Sequence, residues 1–254
     1  MKIQAGFVAI AALWTTVGFA QNSSGTAAGK PVARTADGRP NLSGVWQSGG
    51  VSLYGEPGLG KGPAPPPPVN PPPKREPIPY QSWAETKSQT FTPVDDPSLR
   101  CLMPGVPRIT SMPMPFEIIQ TPKEIVIAYE SYHAFRIIPI NDKLQHPNDL
   151  VPTWMGDSVA RWDGDTLVVD VTGFNDKTWL SGTGSFHSEN LHVVERFHLN
   201  SDDTITYTAT VTDPKVLTKP WVTGALLRRP PNTRVEEYEC VENNQDAAHM
   251  GAKK

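Results

Sequence analysis

The chain has 254 residues and a formal net charge of −3 at neutral pH. It contains no block of basic residues and no basic amphipathic helix, so nucleic acid and anionic membranes are not indicated as partners. The length is sufficient for one sizeable hydrophobic core and lies within the range of a single all-β domain.

The N-terminus has the pattern of a secretory signal peptide. Lys2 is a short positive region, residues 7–17 form an apolar run, and small residues precede a cleavage site after Ala20. A membrane anchor is the alternative, but the apolar run is short for crossing a bilayer and no stop-transfer pattern follows it. The sequence therefore predicts that residues 1–20 are removed and that a periplasmic or secreted protein without membrane contact remains.

Composition divides the remainder of the chain. Residues 21–94 are predicted to be a flexible leader and a proline-rich arm, which includes a first strand at about 43–47. Proline at this density neither donates hydrogen bonds to a sheet nor continues a helix, so we expect an extended arm, with a PxxP ligand as the alternative. Residues 95–242 are predicted to form the folded domain, and 243–254 a disordered tail.

Short strands separated by turns dominate the predicted domain. After the first strand they are expected at 116–120, 124–130, 134–140, 158–162, 165–173, 192–199, 204–211, 225–228 and 234–240, with a break at Pro220-Trp221 and a short helix at 82–88. Asp163-Gly164 joins two of them as a hairpin turn, because this dipeptide tolerates positive φ at both central positions. The lack of a long helix favours an all-β antiparallel barrel or sandwich, and the meander order of the strands favours the barrel.

Cys101 and Cys240 are the only two cysteines. An even pair in an exported chain is predicted to form a disulfide, and no CxxC motif indicates a metal or redox site. In the chain-entropy model, a bridge that closes so long a loop contributes at most about 4–5 kcal/mol.

The predicted strand at 192–199 carries the densest group of ionisable side chains. Period-two alternation places Glu195 on a face that is otherwise apolar, whereas Arg196 lies on the opposite face. An inward carboxylate is costly unless it is paired, hydrogen-bonded or protonated. Glu195 is therefore expected to be either a catalytic acid or one partner in a structural ion pair with Arg136 or Arg161. In the catalytic interpretation, Arg136 or Arg196 stabilises developing negative charge.

His187 and Glu189 lie two positions apart just before this strand, so an extended backbone would point both side chains the same way. A histidine oriented by a carboxylate is a candidate general base. A turn or capping cluster around Ser188 explains the same residues equally well. A divalent metal held by His133, His146 and His187 from separate loops is a minor alternative, and no cofactor is predicted.

Aromatic and loop side chains complete the candidate site. The residues considered for substrate binding are Trp154, Trp162, Trp179, Phe186, Tyr207, His133, His146 and Asp149. The aromatic members are predicted either to pack in the barrel core and at its ends, or to form a stacking wall for a sugar ring or a flat apolar ligand.

Gly44-Val45-Trp46 is similar to the Gly-x-Trp of lipocalin and avidin barrels, in which the tryptophan plugs one end. From Asn41 to about Glu242, the chain resembles a family of uncharacterised exported bacterial proteins, through the runs DDPSLRCLMPGVPRI, EIIQTPKEIVIAYE, HPNDLVPTWMGDSVARWDGDTLVVDVTGFND and HSENLHVVERF. The resemblance implies a single exported domain with a lipocalin-like or calycin-like barrel, and it assigns no activity. It marks as members of the shared pattern His146, Asp149, Trp154, Trp162, Asp165, Trp179, His187, Glu189, Glu195 and Arg196.

Two functions are compatible with these patterns. An exported enzyme of lyase, isomerase or hydrolase type would use His187 as base, Glu189 as its orienting partner and Glu195 as acid on a small organic substrate. A binding protein for a small hydrophobic or glycan ligand would use the same barrel with its charges in structural roles. The polar content of the central segment favours the enzyme, and no pattern indicates an oligomeric state.

Overall fold

A computed structural model describes residues 32–48, 71–74, 76–242 and 244. The predicted signal peptide, most of the proline-rich arm and most of the predicted tail lie outside these described residues. A short helix, α1, spans Ser82–Ser88, where the sequence predicts it.

The described chain contains nine strands. In chain order they are β1 (Gly44–Ser48), β2 (Phe116–Gln120), β3 (Glu124–Tyr129), β4 (Phe135–Pro139), β5 (Asp157–Asp163), β6 (Thr166–Thr172), β7 (His192–Ser201), β8 (Thr204–Thr212) and β9 (Trp221–Arg228). The sequence predicts that Pro220 and Trp221 interrupt the strands. This is wrong for Trp221, which begins β9 and pairs with Val211 of β8.

All nine strands belong to one sheet in the order β4-β3-β2-β1-β9-β8-β7-β6-β5, and every neighbouring pair is antiparallel. The sheet curls into a nearly closed barrel, which confirms the predicted fold class. Because the number of strands is odd, the two edge strands, β4 and β5, meet in parallel, and Ile140 forms an isolated parallel bridge with Ala160 there. We call this junction of β4 and β5 the seam.

The inward face of the barrel supplies the hydrophobic core. Along β7, inward and outward residues alternate over the whole strand, and Val193 and Phe197 have no exposed surface. Trp46 of β1 is also fully buried, and its indole nitrogen donates to the Leu42 carbonyl oxygen at 2.7 Å. Full burial of one large apolar side chain contributes about 1.5–3 kcal/mol, so this inner layer provides most of the driving force for folding.

The C-terminal segment after β9 is irregular, so the strand predicted at 234–240 is wrong. β8 and β1 already pair with the two edges of β9. The backbone of the following segment therefore cannot add to the sheet beside β9, although its side chains alternate as in a strand. The backbone nitrogen of Glu236 donates instead to a side-chain oxygen of Glu130 at 3.0 Å. The predicted disulfide between Cys101 and Cys240 is confirmed, with the two Cα atoms 5.5 Å apart, and it fastens this segment to the chain before β2.

Candidate functional site

The barrel interior contains a buried ion pair. Glu195 points inward from β7 and is fully buried, and its Oε2 lies 2.6 Å from Nη2 of Arg136, which points inward from β4. The Tyr207 hydroxyl donates to Oε1 of Glu195 at 2.8 Å. The ion pair predicted for Glu195 is thus confirmed with Arg136 as its partner, since Arg161 occupies an outward position of β5.

Arg136 offers more hydrogen-bond donors than its neighbours accept. Its Nη2 also donates to the Ser158 hydroxyl at 2.8 Å, but its Nε and Nη1 are buried and have no hydrogen-bond partner among the described residues. The Tyr129 hydroxyl lies close enough to affect the guanidinium, although it does not meet either nitrogen in hydrogen-bond geometry. A buried donor without a partner costs about 1–3 kcal/mol, and more for a charged group.

The electrostatics of this group keep its members in fixed protonation states. Burial lowers the pKa of Arg136, but the Glu195 carboxylate and the Tyr129 hydroxyl outweigh burial and raise the pKa above its ordinary value. Burial, with a further contribution from Glu195, raises the pKa of Tyr207 well above its ordinary value, and burial raises the pKa of Tyr129. The guanidinium is therefore charged and both tyrosines are neutral at pH 7. We refer to Arg136, Glu195, Tyr207, Tyr129 and Ser158 as the Arg136 cluster.

His187 is buried in the loop before β7, away from this cluster. Its Nδ1 donates to the Ser188 carbonyl oxygen at 2.9 Å, and its Nε2 lies 2.6 Å from the Thr178 hydroxyl. A carbonyl oxygen only accepts, so the neutral ring carries its proton on Nδ1 and accepts from Thr178. Burial lowers the pKa of His187, although the Ser188 carbonyl and the Asp213 carboxylate oppose this shift. Both ring nitrogens are therefore occupied by structural hydrogen bonds.

Glu189 and Arg196 do not join His187. Glu189 is exposed, because the chain turns at Ser188, whose carbonyl oxygen accepts from the Leu191 nitrogen at 3.1 Å. The Ser188 backbone nitrogen and hydroxyl both donate to Asp213, at 2.6 and 2.8 Å, so the turn cluster that the sequence offered as an alternative is present. Arg196 lies on the outer face of the barrel and pairs with Asp163 at 3.0 Å.

A chain of alternating carboxylates and imidazoles lies on the outer face of β5, β6 and β7. Nδ1 of His146 is 2.6 Å from Oδ2 of Asp157, and its Nε2 is 3.0 Å from Oδ1 of Asp170. Oδ2 of Asp170 in turn lies 2.8 Å from Nε2 of His192. The hydrogen bond to Asp170 raises the pKa of His192. Partial burial raises the pKa of Asp170, but its bonds to His192 and His146 outweigh burial and lower the pKa below its ordinary value.

Neither Asp157 nor Asp170 was predicted from the sequence to be a site residue, although the position of Asp170 in its strand is informative. It is the one charged residue within the apolar run of β6, and its position opposite Val194 makes His192 its diagonal neighbour on the next strand. The loop that brings His146 onto this face had no comparable signal in the sequence.

The predicted aromatic wall is not assembled as one surface. Tyr207 packs in the core against Phe197, with ring centroids 5.0 Å apart, whereas Trp179 and Phe186 both pack against Phe91. Trp154 and Trp162 are partly exposed and lie near the cations of Lys177 and Arg39, respectively. The aromatic residues therefore behave as core and end-packing groups, which was one of the two predicted alternatives.

The remaining candidates have separate surroundings. His133 is exposed and lies 3.8 Å from Glu239, and Asp149 is exposed in the loop between β4 and β5. His133, His146 and His187 thus have different partners, and no group of three or more potential metal ligands with suitable geometry occurs in the described part of the chain.

Comparisons of this chain with protein-family models, with curated proteins and with solved structures find no match. The family resemblance drawn from the sequence motifs therefore stays a prediction. Among the described residues, no helix is long and apolar enough to cross a membrane.

Proposed function

We propose that this protein binds a small molecule that carries a hydrogen-bond acceptor oxygen, inside the barrel beside Arg136. The observation that carries the proposal is the pair of buried guanidinium nitrogens, Nε and Nη1, without partners among the described residues. Buried polar groups are nearly always hydrogen-bonded, so these donors require an acceptor. Carboxylate and carbonyl oxygens are the acceptors that best suit a guanidinium.

The rest of the Arg136 cluster fits a binding role. Glu195 neutralises the guanidinium charge, and the Ser158 hydroxyl fixes Nη2, so the orientation of the other two nitrogens is set before a ligand arrives. Preorganised donors lose little conformational entropy on binding. The neutral Tyr129 hydroxyl shares one hydrogen bond with the Thr110 hydroxyl at 3.2 Å and retains capacity for a second at the same place.

The geometry supports the acid–base enzyme less well. Both nitrogens of His187 are occupied, Glu189 is exposed, and Glu195 is held by Arg136 and Tyr207. A general base needs a nitrogen or oxygen within reach of the substrate proton, and none of these three groups presents one. The binding protein, with its charges in mainly structural roles, is therefore the better-supported of the two predicted functions.

Calorimetric titration tests this proposal with formate, acetate and acetamide as probes. These three share an acceptor oxygen and differ in charge and size, so their relative affinities define the ligand class. Saturable binding of at least one probe, weakened in Tyr129→Phe, supports the proposal. The matched control is Tyr132→Phe, because Tyr132 donates to the Ser98 carbonyl oxygen and takes no part in the Arg136 cluster. Absence of saturable binding by all three probes, or equal affinity in both variants, would overturn it.

We also propose that the protein is exported. The disulfide between Cys101 and Cys240 supports this, since such bonds persist mainly in oxidising compartments. The signal pattern ending at Ala20 and the predicted family resemblance agree with it. Intact mass of the protein recovered after bacterial expression tests the proposal: loss of residues 1–20 supports export, and an intact N-terminus in the cytosolic fraction contradicts it.

A further inference from the structure

The seam is held differently from every other strand junction in the barrel. β5 and β6 pair at each position from Asp157 to Asp163, and the other neighbouring strands also pair as antiparallel ladders, of which the shortest, between β1 and β9, has two paired positions. β4 and β5 share the isolated bridge between Ile140 and Ala160, where the Asn141 nitrogen donates to the Ala160 carbonyl oxygen at 2.7 Å. A junction with few backbone hydrogen bonds opens at lower free energy than a full ladder.

Inside the barrel, the seam is crossed by the Arg136 cluster itself. Arg136 belongs to β4 and Ser158 to β5, so their 2.8 Å hydrogen bond spans the seam from within. The unpartnered nitrogens of Arg136 therefore lie at the inner side of the junction that only an isolated bridge holds.

Outside the barrel, a second device closes the same junction. The connection from β4 to β5 carries His146, which contacts Asp157 at the start of β5 and Asp170 on β6. We call these three residues the His146 bracket. The His146 side chain is only 14% exposed, and the bracket fastens the connection that leaves β4 onto the strands on the other side of the seam.

We infer that the seam is the entrance through which ligands reach Arg136, and that the His146 bracket holds it closed. This inference rests on the proposed binding function. A ligand that enters here meets Arg136 first, because the guanidinium lies directly inside the junction. Opening requires release of the bracket, the bridge at Ile140, the Arg136–Ser158 bond and the Arg136–Glu195 ion pair, which also joins β4 to the strands beyond the seam, and it leaves the ladders between the other strands intact.

Thiol labelling tests the entrance without a ligand. The two native cysteines are joined in the disulfide, so Ser158→Cys adds a single free thiol inside the seam, and its rate of reaction with iodoacetamide reports opening. Ala209→Cys is the matched control, because Ala209 is fully buried on the inward face of β8, three strands away from β5 and directly opposite Glu195 of β7. Global unfolding exposes both introduced thiols, whereas seam opening exposes only the thiol of Ser158→Cys.

The bracket is then removed with His146→Asn, and His198→Asn serves as its control, because His198 contacts Thr166 on the same outer face without touching the seam. We expect His146→Asn to accelerate labelling at position 158 at least about tenfold, with no change at position 209, and His198→Asn to change neither rate. Unchanged labelling at position 158, or equal acceleration at both positions, would overturn the inference.

Amide hydrogen exchange provides a second readout if Ser158→Cys fails to fold. His146→Asn in the otherwise unaltered protein should speed exchange of the Asn141 amide, whose hydrogen bond crosses the seam to Ala160, and leave the amides of β7 and β8 unchanged, while uniform acceleration contradicts the inference. Neither readout involves a ligand, so a failure of formate, acetate and acetamide to bind would overturn the proposed function and leave the test of seam opening valid.

Discussion

Arg136 of β4 and Glu195 of β7 meet inside the barrel with 2.6 Å between Nη2 and Oε2. β4 is one edge strand of the sheet, and β7 belongs to the strands that end at the other edge, so this ion pair crosses the seam. Both side chains are almost completely withdrawn from solvent. The attraction between buried charges is offset by their desolvation, so such a pair contributes little net stability but is very costly to break on one side only.

This asymmetry gives the first prediction. Glu195→Gln should destabilise the protein by about 3–5 kcal/mol in urea unfolding, because it leaves the buried Arg136 charge uncompensated. Replacing both partners, as in Arg136→Met with Glu195→Leu, should restore much of the loss. The control is Arg196→Met, which breaks only the exposed pair with Asp163 and should cost at most about 1 kcal/mol. Similar losses in Glu195→Gln and Arg196→Met would contradict the prediction.

His187 should give the protein a pH-dependent stability. Burial lowers its pKa in the folded state, so its contribution is complete above the ordinary value of about 6.5 and is lost as the pH falls below it. His187→Gln cannot titrate, and the stability difference between the wild type and this variant should therefore shrink from about pH 8 to about pH 5. Urea midpoints across this range measure the difference, and parallel profiles for the two proteins would contradict the assignment.

His192 should have the opposite pH dependence. Its pKa is raised by Asp170, so its contribution is complete below about pH 6.5 and is lost as the pH rises through the raised value. The lowered pKa of Asp170 keeps its carboxylate ionised down to about pH 4. The Asp170–His192 pair is therefore fully stabilising between about pH 4 and about pH 6.5. NMR titration should show the His192 midpoint falling in Asp170→Asn; an unchanged midpoint would contradict the pairing. The stability involved is at most about 1 kcal/mol because His192 is partly exposed.

Gly44 at the start of β1 is favoured mainly by its backbone conformation, with a smaller contribution from a neighbouring side chain. Its φ of +126° lies in a region that side chains rarely adopt, and an added Cβ would collide with Nη1 of Arg229, whose guanidinium lies over the Trp46 ring. Gly44→Ala should therefore cost about 1–2 kcal/mol, because the Arg229 guanidinium can move aside but gives up its hydrogen bond to the Ser43 carbonyl oxygen and its contact with Trp46. Gly38→Ala isolates the backbone contribution, because Gly38 has a φ of +80° and open space around it, and it should cost about 1 kcal/mol. Equal thermal unfolding temperatures for the two variants would contradict the steric part.

The fold could be predicted from the sequence because its signals are local. Alternating burial, the Asp163-Gly164 turn and the short loops identify strands one at a time, and the inward direction of Glu195 follows from the apolar residues on either side of it. The strand predicted at 234–240 failed because alternation does not tell whether a sheet edge is free. That depends on β1, which lies far away in the sequence but occupies the edge of β9.

The site was less predictable for the same physical reason. Ser158, Tyr129 and Asp170 acquire their roles from the register of strands and from barrel closure, neither of which is encoded near these residues. His187 and Glu189 were expected to point the same way on extended backbone, but the turn at Ser188 separates them. Local patterns thus identified which residues carry charge, whereas tertiary contacts decide which of them meet.

The Nε–H resonance of Arg136, assigned by its loss in Arg136→Lys, provides the most direct measurement of whether the Arg136 cluster binds a ligand. On addition of acetate, the ¹H–¹⁵N peak should shift and saturate, while the peak of Arg108, which is bonded to Asp96 in a separate buried pair, should stay in place. A peak from Arg136 that does not move with formate, acetate or acetamide, or that moves only in step with Arg108, would contradict ligand binding inside the barrel.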